Sequence, residues 1–263
     1  MKPKETEGWM RKWNGNIGMK ILGLDSSGLV ASVAVVEDDV LLAESTLDYK
    51  KTHSQTLLPM LDGLRSRLEL DLDSLDAIAV ASGPGSFTGL RIGAATAKGL
   101  GLALRRPLVE VPTLEGLAWN LWGTDRLVCP LMDARRNQVY AAAYEFVPVQ
   151  ERFRLDAVIP QMPIDIREML EKLNQLGRGV VFLGDGTPVY RREIAEYCKV
   201  PYAFAPAGNN RQRAASIASL GAVYFAQGKT VTAAEHCPEY LRKSQAEREA
   251  GSRMTEAEAS EAE

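Results

Sequence analysis

Histidine and cysteine are scarce in this chain. Its 263 residues include two histidines, His53 and His236, and three cysteines, Cys129, Cys198 and Cys237. They are widely separated, and neither HxxxH nor CxxC occurs, so no local metal-ligand pair is set up and no disulfide framework is suggested. No run is long and apolar enough to span a bilayer, and no secretory h-region is found. The expectation is a protein of the reducing cytoplasm. Excess positive charge is also missing: 31 Lys and Arg stand against 34 Asp and Glu, a formal charge of −3. That excludes a protein that coats nucleic acid by charge alone, and any RNA contact has to be local or shared. No GxSxG elbow is present, and nothing specific supports a Ser-His-Asp set. Neither GxxxxGK(S/T) nor GxGxxG can be laid on any glycine-rich segment.

What the chain does have is ASGPGSFTGLRIGAATAKGLGLAL, Ala81 to Leu104, an apolar strand that passes through a glycine-rich turn into a helix of small residues. Gly83, Gly85 and Gly89 surround Pro84, and glycine permits both positive φ and close approach by another chain segment. Ser86 or Thr88 can cap the helix, whose first N–H groups form an anion site. Two uses stand side by side: a phosphate or nucleotide cradle, and a tight strand-to-helix connection with no ligand. Within the helix, Gly93, Ala94, Ala95, Ala97, Gly99, Gly101 and Ala103 leave little bulk. Each interior glycine costs about 1 kcal/mol relative to alanine. Such a cost suggests intimate packing, and Arg91, Lys98, Arg105 and Arg106 make it the packing of a water-soluble helix.

In chain order, the pattern predicts strands at Lys20–Leu24, Leu29–Val36 and Val40–Leu47, then a helix from His53 to Leu68. Leu57, Met60, Leu61, Leu64 and Leu68 form one apolar stripe on that helix. A strand at Asp76–Ala81, the glycine turn with its helix, and a strand at Pro107–Val111 follow. The second half repeats the order, with strands at Leu127–Met132, Gln138–Phe146 and Arg152–Ile159, a helix at Asp165–Leu176, a strand at Val180–Leu183 and a helix at Pro188–Cys198. A closing helix covers Ala214–Ala226, and Pro238–Arg242 reads as an ordered final segment. Two three-stranded meanders with crossover helices give a two-lobed α/β protein with a cleft between the lobes. The expected division is an N-terminal extension at 1–18, an N-terminal lobe at 19–111, a C-terminal lobe at 112–243 whose closing helix can return to the first lobe, and a disordered acidic tail at 244–263. The extension is polar, carries Trp9 and Trp13, and ends before a second methionine, Met19. It is read as an upstream start or a loosely docked, flexible arm.

Few residues carry candidate chemistry. Asp25, Ser26 and Ser27 in the first hairpin turn either reach a phosphate or metal-bound water in the cleft or satisfy their own backbone. The matching turn of the second lobe, Asp133 to Asn137, has no glycine; Arg135 and Arg136 there meet an anionic partner or are solvated. His53 reads as a helix-start or surface residue, and Gly184-Asp185-Gly186 as an ordinary glycine turn.

ILGLDSS at Ile21–Ser27, SQTLLPML in the first helix, SGPGSFTGLRIGAATAKGLGLAL with VPTLEGLA after it, MDARRNQVYAAAYE and PEYLR together resemble the TsaB (YeaZ) family across most of residues 19 to 243. The resemblance implies the two-lobed actin, sugar-kinase and Hsp70 fold, built from duplicated ribonuclease H-like units. It also implies a role in forming threonylcarbamoyladenosine beside the anticodon of tRNAs that read codons starting with A. The related catalytic subunit, TsaD, binds metal and nucleotide and carries a histidine pair in HxEGH; here the corresponding residues are Thr113-Leu114-Glu115-Gly116-Leu117. The implied role is therefore a dimerisation subunit with no catalytic, cofactor or metal residues of its own. It pairs with TsaD, or with a second copy when TsaD is absent, reaches TsaE through the complex, and contacts tRNA only there. Leu57, Leu61, Leu64, Gly93 and Ala97 are the candidate partner-interface residues. An active ATPase or kinase of the same fold is the alternative, and a peptidase ranks last.

Overall fold

The computed structural model describes residues 18–48, 53–135 and 137–241. The expected flexible extension, apart from Gly18, and the acidic tail lie outside the described residues, as do Arg136 and Arg242. Five strands form the first sheet: β1 (Lys20–Asp25), β2 (Ala31–Glu37), β3 (Val40–Leu47), β4 (Ala77–Gly83) and β5 (Leu108–Pro112), in the order β3-β2-β1-β4-β5. Antiparallel pairing joins β1 to β2 and β2 to β3, and parallel pairing joins β1 to β4 and β4 to β5. Helix α1 (His53–Leu68) links β3 to β4, and α2 (Phe87–Leu104) links β4 to β5.

The second sheet takes β6 (Leu127–Asp133), β7 (Gln138–Val149), β8 (Arg152–Asp165), β9 (Val180–Leu183) and β10 (Tyr202–Phe204) in the order β10-β9-β6-β7-β8. Read from the other edge, this is the strand order of the first sheet. Helices α3 (Thr113–Ala118), α4 (Ile166–Leu176), α5 (Gly186–Val189) and α6 (Arg191–Tyr197) flank it, and α7 (Ala214–Ala226) closes the fold. The molecule is thus a duplicated ribonuclease H-like, actin-like α/β protein.

Each face of the first sheet has its own core. On one face Leu57, Leu61 and Leu64 of α1 and Ala97 of α2 pack with Leu22, Leu24, Val33, Val35, Ile78 and Val80. On the other, Ile217, Ala218, Leu220 and Ala222 of α7 pack with Ile21, Ala77, Ala79, Val109 and Val111. The fit against α7 is tight, since a Cβ at Gly23 would overlap the Ala214 carbonyl oxygen and one at Gly221 would overlap the Ala79 methyl. Arg152 on β8 ties the second lobe to the β2–β3 turn through a two-pronged ion pair with Asp39 at 2.7 and 3.2 Å. Among the described residues no helix is long and apolar enough to cross a membrane.

Candidate functional site

The sequence draws attention first to the glycine turn. Ser86 caps α2, its hydroxyl accepting from the Gly89 N–H at 3.3 Å, and the Gly83–Pro84 bond is cis. Against this turn lies the β1–β2 loop of the same chain. A Cβ at Gly85 would overlap the Ser27 carbonyl oxygen and one at Gly89 the Ser26 carbonyl oxygen. Ser26 Oγ donates to the Gly89 carbonyl at 2.9 Å, and the Ser86 N–H donates to the Ser27 carbonyl at 2.7 Å. These glycines therefore admit the chain's own backbone.

Asp25 sits beneath that contact. Its Oδ1 accepts from the Ser27 N–H at 2.9 Å and from Ser27 Oγ at 2.6 Å, so the turn satisfies itself. Burial pushes the carboxyl up from 3.8 to about 6, against the opposing pull of those two bonds and of His53. His53 Nε2 donates to the Gly28 carbonyl at 2.9 Å, fastening the start of α1 to the same loop.

Between the lobes runs a cleft of about 830 Å³. Ser27, Gly28, Gly85 and Ser86 line it from the first lobe, Asp133, Arg135 and Asp185 from the second, and Glu239 and Tyr240 from the C-terminal segment. Three carboxylates thus face one guanidinium. Asp133 Oδ1 accepts from the Arg135 N–H at 2.8 Å and from Tyr190 Oη at 3.1 Å, while Asp185 Oδ1 accepts the Asp133 N–H at 3.2 Å. Burial raises the Asp185 carboxyl against the hydrogen bond from the Asp133 N–H and the charge of Arg211, the Asp133 carboxylate adding a smaller push upward. This lining suits a bare phosphate poorly, because neighbouring carboxylates repel it. Among the described residues no group of three or more His, Cys, Asp or Glu is placed to hold a metal ion. Thr113 and Leu117, the residues that the resemblance sets against a histidine pair, are both buried. The Thr113 hydroxyl accepts from the Gly83 N–H at 3.1 Å, and Leu117 joins the hydrophobic core of the second lobe.

The C-terminal segment runs from the edge of the first sheet into this cleft. Leu108 and Val231 exchange backbone bonds, Glu110 Oε1 receives His236 Nδ1 at 2.7 Å, and the Glu239 N–H donates to the Ser82 carbonyl at 2.7 Å. Gln161 on β8 donates to Glu239 Oε2 at 2.7 Å, so both lobes hold the segment.

The five residues expected to meet a partner face inward. Leu57, Leu61, Leu64 and Ala97 lie in the core of the first lobe at 4% exposure or less, and Gly93 is buried with Ser26 and Val80 beside its Cα. The stripe is the face that a helix lays on its own sheet, and residues already covered offer a partner no area. The outward faces carry a different set: Leu58 on α1, 53% exposed, and Ala95, Gly99, Leu102 and Ala103 on α2, with Leu102 69% exposed. A Cβ at Gly99 would meet nothing within 4 Å. The signal in the sequence was Leu58, an apolar residue lying off the stripe, together with the i, i+4, i+8 series Ala95-Gly99-Ala103.

Comparison with known proteins places these features in context. The family model described as TsaD, tRNA N6-adenosine threonylcarbamoyltransferase, matches residues 41–250. The chain is 34% identical over 232 residues to the tRNA threonylcarbamoyladenosine biosynthesis protein TsaB of Bacillus subtilis (strain 168), covering 87% of this chain and 96% of that protein. It is 31% identical over 235 residues to the protein of the same name from Escherichia coli (strain K12), covering 86% and 96%. Among solved structures, YeaZ from Pseudomonas aeruginosa superposes with a TM-score of 0.67 at 27% identity, covering 85% of this chain and all of that one.

Proposed function

This chain belongs to the TsaB (YeaZ) family, and from that premise we propose that it acts in tRNA threonylcarbamoyladenosine biosynthesis as a subunit that holds a partner rather than one that performs the transfer. The observation that carries the reading is the set of exposed small and apolar residues on the two helices, Leu58 on α1 and Ala95, Gly99, Leu102 and Ala103 on α2. Small side chains let another helix come close, and each leucine buried on contact is worth about 1.5–3 kcal/mol. The partner this face fits is TsaD, whose related fold offers equivalent helices, or a second copy of this chain when TsaD is absent. TsaE and tRNA join through the assembled complex. The cleft supports the same reading: its glycines are filled by the chain's own loop, and its opposite wall presents carboxylates.

Reconstitution with TsaD, TsaE, tRNA and threonylcarbamoyl-adenylate tests the proposal. Modification is expected to depend on this chain, and Leu102→Glu is expected to abolish both co-purification with TsaD and modification. Full-rate modification without the chain removes the proposal. Calorimetry with ATP and Mg²⁺ on the isolated chain separates it from a kinase or ATPase of the same fold, for which tight stoichiometric binding is the expected result.

A further inference from the structure

A second, smaller cavity of about 220 Å³ opens where α7, the segment after α3 and the start of β8 meet. Trp119, Trp122, Phe153, Leu155, Val223 and Tyr224 wall it, all at least partly exposed. The rings form a fixed wall: Phe146 of the second core lies against Trp119 and Phe153, and Trp122, 48% exposed, stands edge-on to Phe153 with ring centroids 5.0 Å apart. The cations at the rim are already engaged. Arg152 holds Asp39, Arg154 holds Asp156 through two bonds of 2.6 Å, and Lys229 Nζ lies 4.4 Å from the centre of the Tyr224 ring. What the cavity leaves unmet is apolar surface. An apolar void of about 150 Å³ takes up a benzene ring, so this larger one has room for an indole.

The start of the described chain lies beside it. The Met19 N–H donates to Asp38 Oδ1 and the Asp38 N–H donates to the Met19 carbonyl, both at 2.9 Å. The next residue, Asp39, is the one that holds Arg152 on the rim. Met19 also packs on the core beneath α7, as do Trp119, Val223 and Tyr224 of the cavity wall. Residues 1–17, outside the described residues, therefore join the fold at this spot. Among them are the apolar Trp9, Met10, Trp13 and Ile17, and Trp9, Trp13 and Ile17 recur every four residues. That spacing would set all three on one face of a helix. Five residues take the chain from Trp13 to Gly18, a reach of up to about 17 Å when extended.

We propose that this cavity is the docking site of the chain's own N-terminal segment, with the Trp13 indole entering among Trp119, Trp122, Phe153 and Tyr224. Tethering favours this occupant: a segment joined to the fold by a short linker is present at an effective concentration of about a millimolar, so a single ring can serve as its anchor. A second copy of the chain would have to bring its indole from bulk solution, and an acidic partner would find the rim cations taken. The docked segment bridges the lobes, because α7 lies on the first sheet and β8 belongs to the second, and it reinforces the Arg152–Asp39 pair. The inference is independent of the tRNA reading above.

The test is hydroxyl-radical footprinting of the full chain, read by mass spectrometry at each tryptophan, for wild type, Trp13→Ala, Trp13→Phe and Trp122→Ala. Trp122 is an exposed side chain, and thermal melting verifies that the variants fold. Trp13→Ala is expected to raise the oxidation rate of Trp122 severalfold, and Trp122→Ala to raise that of Trp13 likewise. Trp13→Phe, which keeps a ring, should leave Trp122 shielded. Dilution should not change the shielding in wild type, because the contact lies within one molecule. Equal oxidation of Trp122 in wild type and Trp13→Ala would overturn the assignment. Shielding that disappears on dilution would overturn it too, giving the cavity to a second copy. Trp13 shielding indifferent to Trp122→Ala would do the same by placing the segment elsewhere.

Discussion

After the fourth strand of each lobe, a glycine is pressed against a carbonyl at the end of the first strand or just beyond it, Gly85 against Ser27 in one and Gly184 against Leu131 in the other. The preceding turns match as well: Asp25 Oδ1 accepts the Ser27 N–H and Asp133 Oδ1 accepts the Arg135 N–H, each two residues on. Beyond these turns the lobes part. In the first, the 18-residue α2 begins and its glycines seal Asp25 beneath the loop. In the second, the four-residue α5 takes that place and Asp133 stays open to the cleft. The outer faces differ too. Helix α4 shows Arg167, Glu168 and Glu171 to solvent, with Glu168 paired to Lys172, whereas α2 shows Ala95, Gly99, Leu102 and Ala103. The exposed residues of α4 are mostly charged, Leu176 apart, and those of α2 are mostly small or apolar, Thr88 and Arg91 apart.

The largest effect that bears on this contrast is expected from Leu57→Ala, which opens a void in the first core and should cost about 2–5 kcal/mol in urea denaturation. A neutral result would return Leu57 to the surface and undo the assignment of faces. Gly89→Ala and Gly184→Ala should each cost about 3 kcal/mol, because a methyl group has no space beside the Ser26 or the Leu131 carbonyl. If one is costly and the other harmless, the matching turns are not equivalent.

Asp25 distinguishes the sealed turn from the open one through pH. Its folded value of about 6 lies above the ordinary 3.8, so the protonated form is the one the fold favours. That contribution is fully present below about pH 4 and is lost as pH rises through 6, a change of up to about 3 kcal/mol. Asp25→Asn should therefore gain on wild type by that amount between pH 4 and pH 7.5 in parallel urea titrations. Curves that stay parallel would mean the carboxyl is not sealed.

Smaller shifts belong to the outer faces. Leu102→Glu should change stability by no more than about 0.5 kcal/mol while weakening partner binding at least tenfold, measured by thermal melting and calorimetry. Glu171→Ala on α4 should change neither by as much. Gly99→Ala, with open space around the new methyl, should raise helix stability by up to about 1 kcal/mol.

Much of this architecture was legible in the residues. The bounds of α1, β3, β9 and α7 are those the pattern predicts, because each is a clean periodic run between turn residues. Strand β8 runs six residues past the expected Ile159, through Pro160 and Pro163. Proline removes a donor and normally ends a strand, but β8 lies at the sheet edge, where one side of the backbone needs no partner. Helix α3 and strand β10 were missed, the first for want of a side-chain cap and the second for its three-residue length. Close approach at the glycine turn was readable, but not the identity of the approaching segment, whose Ser26 lies 63 residues before the Gly89 it touches. Helical spacing likewise reveals that a face is covered without telling whether the cover is the chain's own sheet. Leu57, Leu61 and Leu64 have the same spacing whichever surface covers them, and here it is the first sheet.

The position of α7 has a consequence for how the protein comes into being. One side of the first sheet is covered by residues 214–226, made more than a hundred residues after β5. On the ribosome, the N-terminal lobe must therefore wait with Ile21, Ala79, Val109 and Val111 unshielded until almost the whole chain has emerged. Expressed without α7, that lobe should be sticky and prone to capture by chaperones, whatever the merit of its own strands.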